Sequence, residues 1–529
     1  MKTLLIGINS KYIHPNLAIR LLKQNSSHDI FIKEFTIKDK LETILDFING
    51  HSAKVIGISV YIWNVEIVKI MLPLIKDKII ILGGPEVSYD SDHYLDYNID
   101  FIIKGEGENS FNTLLTALEK DLSYKNISGL SFKDSKVCSN PIEAIDLETI
   151  EFANSMNFDK SQIQYIEASR GCPFRCSYCL ASLEKPVRYF EINKVKNNIK
   201  YLINKGAKTF KFLDRTFNFN VENSLEIIKF IIDNHHSNNV FQFEITGDIL
   251  SDKLVNLIHT APRGLFRFEI GIQSTNILTN FSIKRYQNTM KLLTIIKNIN
   301  EKAIIDLHLD LIAGLPHENL DSFRKTFNEV FKLKAKELQL GFLKMLPGTK
   351  IRKEAIKYKY KYSKKAPYEI IENQFLSQDD IKKIKTVEEV LERYWNKGFM
   401  NKTIDYLLND PFDFFLDFGN YYESRYTWFD YQLSDLYVRL LNYTKDLNDP
   451  MIKELLIYDY LNYHKQKPKK WWEPLEKKEK NEILRKFSKI NTDYNIDELY
   501  KYAIVEKVVN YIICVYKPES KKIYIVEDV

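Results

Sequence analysis

Over two long stretches of this chain short strand-like runs alternate with amphipathic helical patterns. That alternation limits the fold more than any other feature. From residue 3 to about 130 the runs TLLIGI, IFIKEFT, KVIGISV, KIIILGG and DFIIKGEGE alternate with NLAIRLLKQ, ETILDFINGH, VEIVKIMLPLIK and NSFNTLLTALEK. Strands apolar on both faces need cover on both, which predicts a doubly wound parallel sheet with helices on each side. Ligands of such sheets sit beyond the carboxyl ends of the strands. Those ends carry Asn9 to Asn16, Ser59, Gly83-Gly84-Pro85 and Gly105-Glu106-Gly107. A glycine after a strand also makes a plain turn, so none of them identifies a ligand by itself.

From about 163 to 350 the units lengthen: QYIEAS, KTFKFLD, FQFEITG, FRFEIGIQS, IIDLHLDLIAG and ELQLGFLKM are predicted strands with helical segments between them. Six βα units make a partial (β/α)6 barrel of the TIM type, which works at the carboxyl ends of its strands. Alternation puts Gln242, Glu244 and Thr246 on one face, as it does Glu269 with Gln273, and Asp306, His308 and Asp310. A carboxylate turned into a barrel is costly unless paired, so repeated acids on one face predict a polar, ligand-filled interior. After about 355 helical stretches such as DDIKKIKTVEEVLERYWNKG follow, and VVNYIICVYK closes the chain. The expected organisation is α/β: a Rossmann-like (flavodoxin-like) domain over 1–135, a linker over 136–160, the barrel over 161–350 and a mainly helical domain over 351–529.

Composition excludes some classes. The 76 Lys+Arg against 70 Asp+Glu leave +6, too mild to demand nucleic acid. The basic aromatic stretches KYKYKYSKK and KPKKWWEPLEKK suit base stacking or packing within the fold, and packing is the expectation. No apolar stretch approaches the ~18 residues of a membrane span, and the N-terminal run is too short for a signal-peptide core, so a cytoplasmic protein is expected.

Of five cysteines, Cys138 and Cys514 stand alone and three share SRGCPFRCSYC, which is no disulfide framework. Cys172, Cys176 and Cys179 form C-x3-C-x2-C directly after the first barrel strand. A structural zinc site wants four ligands, and no fourth Cys or His follows at a normal interval. Three thiolates suit a four-iron cluster with one iron open, whereas an electron carrier uses four.

The frame SRGCPFRCSYC, with Tyr178 just before the third cysteine, resembles the signature of the radical S-adenosylmethionine (radical SAM) superfamily. GISVYIWN, ILGGPEVS and DFIIKGEGE resemble the cobalamin-binding domain of one branch, and FLDRTFN, FEIGIQST, DLIAGLPHE and LKMLPGTKI resemble its barrel. The rest looks like the extension of one uncharacterised subgroup. The resemblance implies a [4Fe-4S] cluster on Cys172, Cys176 and Cys179, reductive cleavage of SAM there to a 5′-deoxyadenosyl radical, and cobalamin as a further cofactor. It implies an anaerobic, cytoplasmic enzyme that methylates, cyclises or rearranges an unactivated carbon. A flavodoxin or ferredoxin is the implied electron donor.

In the resembled barrels the SAM-binding positions fall at Asp214, Glu244, Glu269, Gln273 and Gly314. By residue chemistry alone, Asp214 serves equally as a helix cap, the glutamates and Gln273 as an internal polar network, and Gly314 as a turn glycine. Arg170 is read as structural or substrate-facing. In the resembled first domain Ser59, Gly83 and Gly84 line the nucleotide tail of cobalamin, and His14 stands where some members place a cobalt ligand. The D-x-H-x-x-G loop of those members reads YIHPNL here, with Tyr12 for the Asp and Leu17 for the Gly. Without that Asp to orient the imidazole, His14 is expected to pack near the corrin or to cap the following helix. An RNA- or protein-modifying, methylthiotransferase-like enzyme without cobalamin would carry more cysteines in its first domain, and none precedes Cys138. A non-enzymatic sensor would need an output module, and no DNA-reading helix pair is recognisable.

Overall fold

β1 (Thr3–Asn9) is buried at all seven positions, as a strand covered on both faces must be. With β2 (Ile30–Thr36), β3 (Val55–Ser59), β4 (Ile79–Gly83), β5 (Phe101–Ile103), β6 (Leu130–Lys133) and β7 (Val137–Ser139) it forms a sheet of order β2-β1-β3-β4-β5-β6-β7. The first five strands are parallel, in the flavodoxin-like order whose switch point lies between β1 and β3. β6 and β7 extend the edge antiparallel, a departure from the all-parallel expectation. The reversal at Asp134 to Lys136 is too short for a parallel crossover. These features come from a computed structural model that describes all residues except 90, 91, 154–157, 185, 528 and 529. Part of the expected linker 136–160 thus lies outside the described residues.

β8 (Gln164–Ile166), β9 (Thr209–Phe212), β10 (Val240–Ile245), β11 (Phe266–Gln273), β12 (Asp306–Ala313) and β13 (Glu337–Phe342) lie side by side in sequential order, the six expected strands of an open barrel. The pairings from β8 through β12 are parallel. Along β10 and β11 burial alternates strictly, with Phe241, Phe243, Phe266 and Phe268 fully covered and Gln242, Glu244, Arg267 and Glu269 half-buried. The covered face is aromatic: Phe210 stacks on Phe241 at 4.3 Å and Phe212 on Phe243 at 4.5 Å. Each buried phenyl contributes about 1.5–3 kcal/mol. That packing fixes the register and leaves the other face to the polar side chains.

The chain divides into two compact units, Met1–Phe323 with Gly341–Gln378, and Arg324–Leu340 with Asp379–Val529. The first holds the seven-stranded sheet and most of the barrel, together with the hairpin Lys361–Tyr362/Ile370–Glu372. The second is mainly helical and ends in an antiparallel sheet of β14 (Ala503–Lys507), β15 (Tyr511–Lys517) and β16 (Ser520–Val526). The aromatics of the basic stretches pack inward, since Tyr358, Tyr360 and Trp472 are buried. Among the described residues no helix is long and apolar enough to cross a membrane.

Candidate active site

The three cysteines sit on one loop whose entry only glycine permits. Gly171 has φ +93°, and a Cβ there would lie 2.6 Å from the Pro186 carbonyl oxygen. The loop leaves the short antiparallel pair Ser169–Arg170/Arg188–Tyr189 and is pinned from three sides. Cys172 N donates to Glu184 O (3.2 Å), Ser177 N to Ile283 O (2.8 Å), and Ile351 N to Ser177 O (2.9 Å). Cys172 and Cys176 are buried and Cys179 is half-buried.

Two arginines flank the thiols. Burial opposes the charge of Arg215, but Glu244, Glu184 and the Cys179 and Cys172 thiols outweigh it and hold the guanidinium above its ordinary range. Arg285 is likewise opposed by burial and held up by Tyr178 and Cys176, its Nη1 lying 3.9 Å from Cys176 Sγ and 3.5 Å from the Tyr178 hydroxyl. Burial pushes the Cys179 thiol up, against the Ala181 N–H and Arg215. Arg215 keeps an exposed surface.

The donor set fits an iron–sulfur cluster. The candidate donors are three soft sulfurs, and two guanidiniums lie near enough to balance thiolate charge. Among the described residues no three His, Cys, Asp or Glu side chains converge as ligands of a single ion do. A four-iron cluster does not ask them to, because its thiolates bind different irons.

On the polar face of the barrel, register sets Glu244 opposite Glu269 and Glu269 opposite His308. Glu269 pairs with Lys211 at 2.9 Å. Arg267 donates to His308 Nδ1 (2.8 Å), which leaves the His308 Nε2–H for Asp310 (3.1 Å). Burial raises the Glu244 carboxyl in spite of Arg215 and Lys211. Gln273 takes a left-handed φ of +67°, and its Oε1 is buried without a hydrogen-bond partner. Both features are costly in an interior and common where a ligand is to be met.

The structure places the other expected residues with equal definition. Asp214 accepts from Ala168 N and Ser169 Oγ and ties the end of β9 to β8, while Asn220, not Asp214, caps the helix Val221–Asn234. Gly314 has φ +95°, and its carbonyl accepts from the Tyr360 hydroxyl and Asn373 Nδ2. Arg170 is structural in its contacts, pairing with Glu108 (2.7 Å) and Glu167 (2.9 Å).

At the switch point of the first sheet, buried Ser59 accepts from Asn16 Nδ2 at 2.7 Å. Gly84 has φ +109° and comes so near Val60 that a Cβ would lie 2.6 Å from its oxygen, whereas at Gly83 the nearest atom would be 3.6 Å away. His14 does not cap the following helix, which Asn16 does; its Nδ1 meets the Tyr165 hydroxyl at 2.7 Å. Arg215, Arg285 and Tyr165 are the site residues that sequence reasoning passed over. Arg215 had a signal, since it follows Asp214 inside FLDRTFN, while Arg285 reaches the cysteines only through the fold.

With this geometry in place, comparison with known proteins agrees. The chain matches the B12 binding domain over residues 3–115, the Radical SAM superfamily over 166–330 and a protein family of unknown function, DUF4080, over 356–520. It is 31% identical over 176 residues to the "Uncharacterized methyltransferase PH0819" of Pyrococcus horikoshii, covering 30% of this chain and 38% of that one. It is 26% identical over 244 residues to the anaerobic magnesium-protoporphyrin IX monomethyl ester cyclase of Synechocystis, covering 43% and 48%. The chain thus spans less than half the length of either curated relative. In fold it is similar to the cobalamin-dependent S-adenosylmethionine radical enzyme OxsB with aqua-cobalamin bound, at a TM-score of 0.61 and 13% identity, covering 87% of this chain and 80% of that one. The Radical SAM domain brings SAM and a [4Fe-4S] cluster as its cofactors, and the B12 binding domain brings cobalamin. The chain therefore joins a B12 binding domain to a Radical SAM domain, the arrangement of cobalamin-dependent radical SAM proteins, and continues into a DUF4080 region.

Proposed function

We propose that this chain is a cobalamin-dependent radical SAM methyltransferase acting on an unactivated carbon of its substrate. The observation that carries the reading is the glycine-entered loop of Cys172, Cys176 and Cys179, flanked by Arg215 and Arg285 at the polar end of an open barrel. When bound, the cluster and SAM supply a carbon-centred radical and cobalamin a transferable methyl group. The chain's own part is to hold and orient these groups and exclude water. The three cysteines bind the cluster, and the two guanidiniums offset its negative charge. Gln273 offers its unpartnered Oε1, a hydrogen-bond acceptor, to an N–H of SAM. Glu244 and Glu269 would bind its ribose hydroxyls or its methionine moiety, and the Gly314 backbone would pass its adenine. Asp214 holds the strand end that the loop leaves from. Ser59, Gly83 and Gly84 line the tail of cobalamin. His14 stays with Tyr165 rather than on cobalt. The working compartment is the reducing cytoplasm, where a one-electron donor protein is at hand.

A ring-forming outcome is the second reading, favoured by the likeness to the Synechocystis cyclase. Anaerobic reconstitution with iron, sulfide and cobalamin tests both. Methyl transfer by this route consumes two SAM molecules, so S-adenosylhomocysteine and 5′-deoxyadenosine should form together, whereas ring closure yields 5′-deoxyadenosine alone. A Cys172→Ala, Cys176→Ala, Cys179→Ala variant that still formed 5′-deoxyadenosine would refute the assignment of the cluster.

A further inference from the structure

The helix Ile277–Ser282, the turn after it and the start of the helix Thr289–Glu301 carry apolar side chains that the fold leaves open. Ile277, Leu278, Phe281, Tyr286 and Met290 are each 67% to 80% exposed. Scattered apolar residues on a surface need no explanation, but a concentration of large ones marks an interaction face. Phe281 and Tyr286 already meet edge to face at 6.2 Å, so part of this segment forms one patch.

The same segment forms the back of the cysteine loop. The Ile283 carbonyl accepts from Ser177 N (2.8 Å), and Arg285 reaches Cys176 Sγ (3.9 Å) from between the exposed Lys284 and Tyr286. The patch is thus one residue away from a side chain that contacts a proposed cluster ligand. Its rim is basic. Exposed Lys284 stands close to exposed Lys350, with exposed Arg175 of the cysteine loop beyond. Glu354 pairs with Lys350 at 3.5 Å and offsets only part of this charge.

We infer that this apolar, basic-rimmed face docks a small acidic one-electron carrier protein, which reduces the cluster held by the neighbouring cysteines. The inference rests on the radical SAM reading above. One electron leaves the carrier, which is oxidised by one, and one electron reduces the cluster; no atom moves. Transient redox complexes bury little area around an apolar centre and are steered by opposite charge at the rim. A second copy of this chain would set the same cations against each other, which favours an acidic partner over self-association.

The test uses the full-length, reconstituted protein. Stopped-flow absorbance follows reduction of the cluster by a reduced flavodoxin, by a reduced plant-type ferredoxin, and by titanium(III) citrate as a small reductant that needs no docking. Lys284→Glu and Phe281→Glu, both at exposed positions, are expected to slow reduction by the two proteins about tenfold or more. Lys284→Glu should also flatten the ionic-strength dependence. Reduction by titanium citrate should stay at the parent rate. The inference is overturned if both variants accept electrons from both carriers at the parent rate, if titanium citrate slows equally, or if the variants differ from the parent only in native mass. A parent protein that assembles no cluster refutes the reading beneath it, a result distinct from all three.

Discussion

Asp214 carries the pH dependence most open to test. The residue is 2% exposed, and its carboxyl oxygens accept from Ala168 N (2.9 Å) and Ser169 Oγ (2.5 Å). Burial pushes the carboxyl up to about 7 from 3.8, against the help of those two bonds. Because the folded value is the higher one, the folded state holds the proton more tightly. The resulting stability is complete below the unfolded value and is lost as pH rises through about 7. A gap of ~3 pH units is worth about 4 kcal/mol. Asp214→Asn keeps the shape and an acceptor for Ala168 N, and its amide N–H can donate to a turned Ser169 hydroxyl without any charge to bury. Urea unfolding at pH 5, 6, 7 and 8 should therefore show the parent losing stability relative to Asp214→Asn as pH rises, with the difference flat above about pH 7. Parallel pH profiles for parent and variant would show that Asp214 does not titrate in this window and that the argument from burial is wrong.

Two contrasts test the cofactor-facing backbone. Gly84→Ala, forced to φ +109° with a Cβ 2.6 Å from a backbone oxygen, should cost about 1–3 kcal/mol or more in thermal unfolding and weaken cobalamin binding in an equilibrium titration. Gly83→Ala, whose Cβ meets only ordinary protein contacts, should leave thermal stability unchanged and weaken cobalamin binding alone. Gln273→Gly relieves a left-handed φ of +67°, so thermal stability should hold or rise by about 1 kcal/mol while the SAM dissociation constant increases. Stability and SAM affinity falling together would make Gln273 a structural residue.

Much of this was legible in the chain itself. The first sheet follows from apolar runs set between amphipathic helices, because strands covered on both faces are apolar throughout, and the barrel strands with the polar face of β10 to β12 follow from alternation, because a pleated strand buried on one side must change character at every residue. The cysteine loop was legible from its spacing and from its place after β8. Three features were not. The antiparallel edge is the first, since β6 returns antiparallel to β5 after a helical connection that reads like the parallel crossovers before it, and β7 follows by a tight reversal. The capping readings of Asp214 and His14 fell to Asn220 and Asn16, nearby asparagines better placed to cap. The apolar segment 277–290 reads in sequence as an unremarkable helix start, and only its exposure sets it apart.

The sequence by itself determined the two α/β patterns and the place of three clustered cysteines, since these depend on periodicity and on residue types at short spacing, and the family resemblance carried by those residues implied the cofactors. Only the tertiary structure decided which cations stand beside the thiols. Arg285 lies 109 positions from Cys176, and their contact exists because β11 ends beside the loop that β8 begins. Charge balance at a buried site is set by distance in space, which spacing along the chain does not encode.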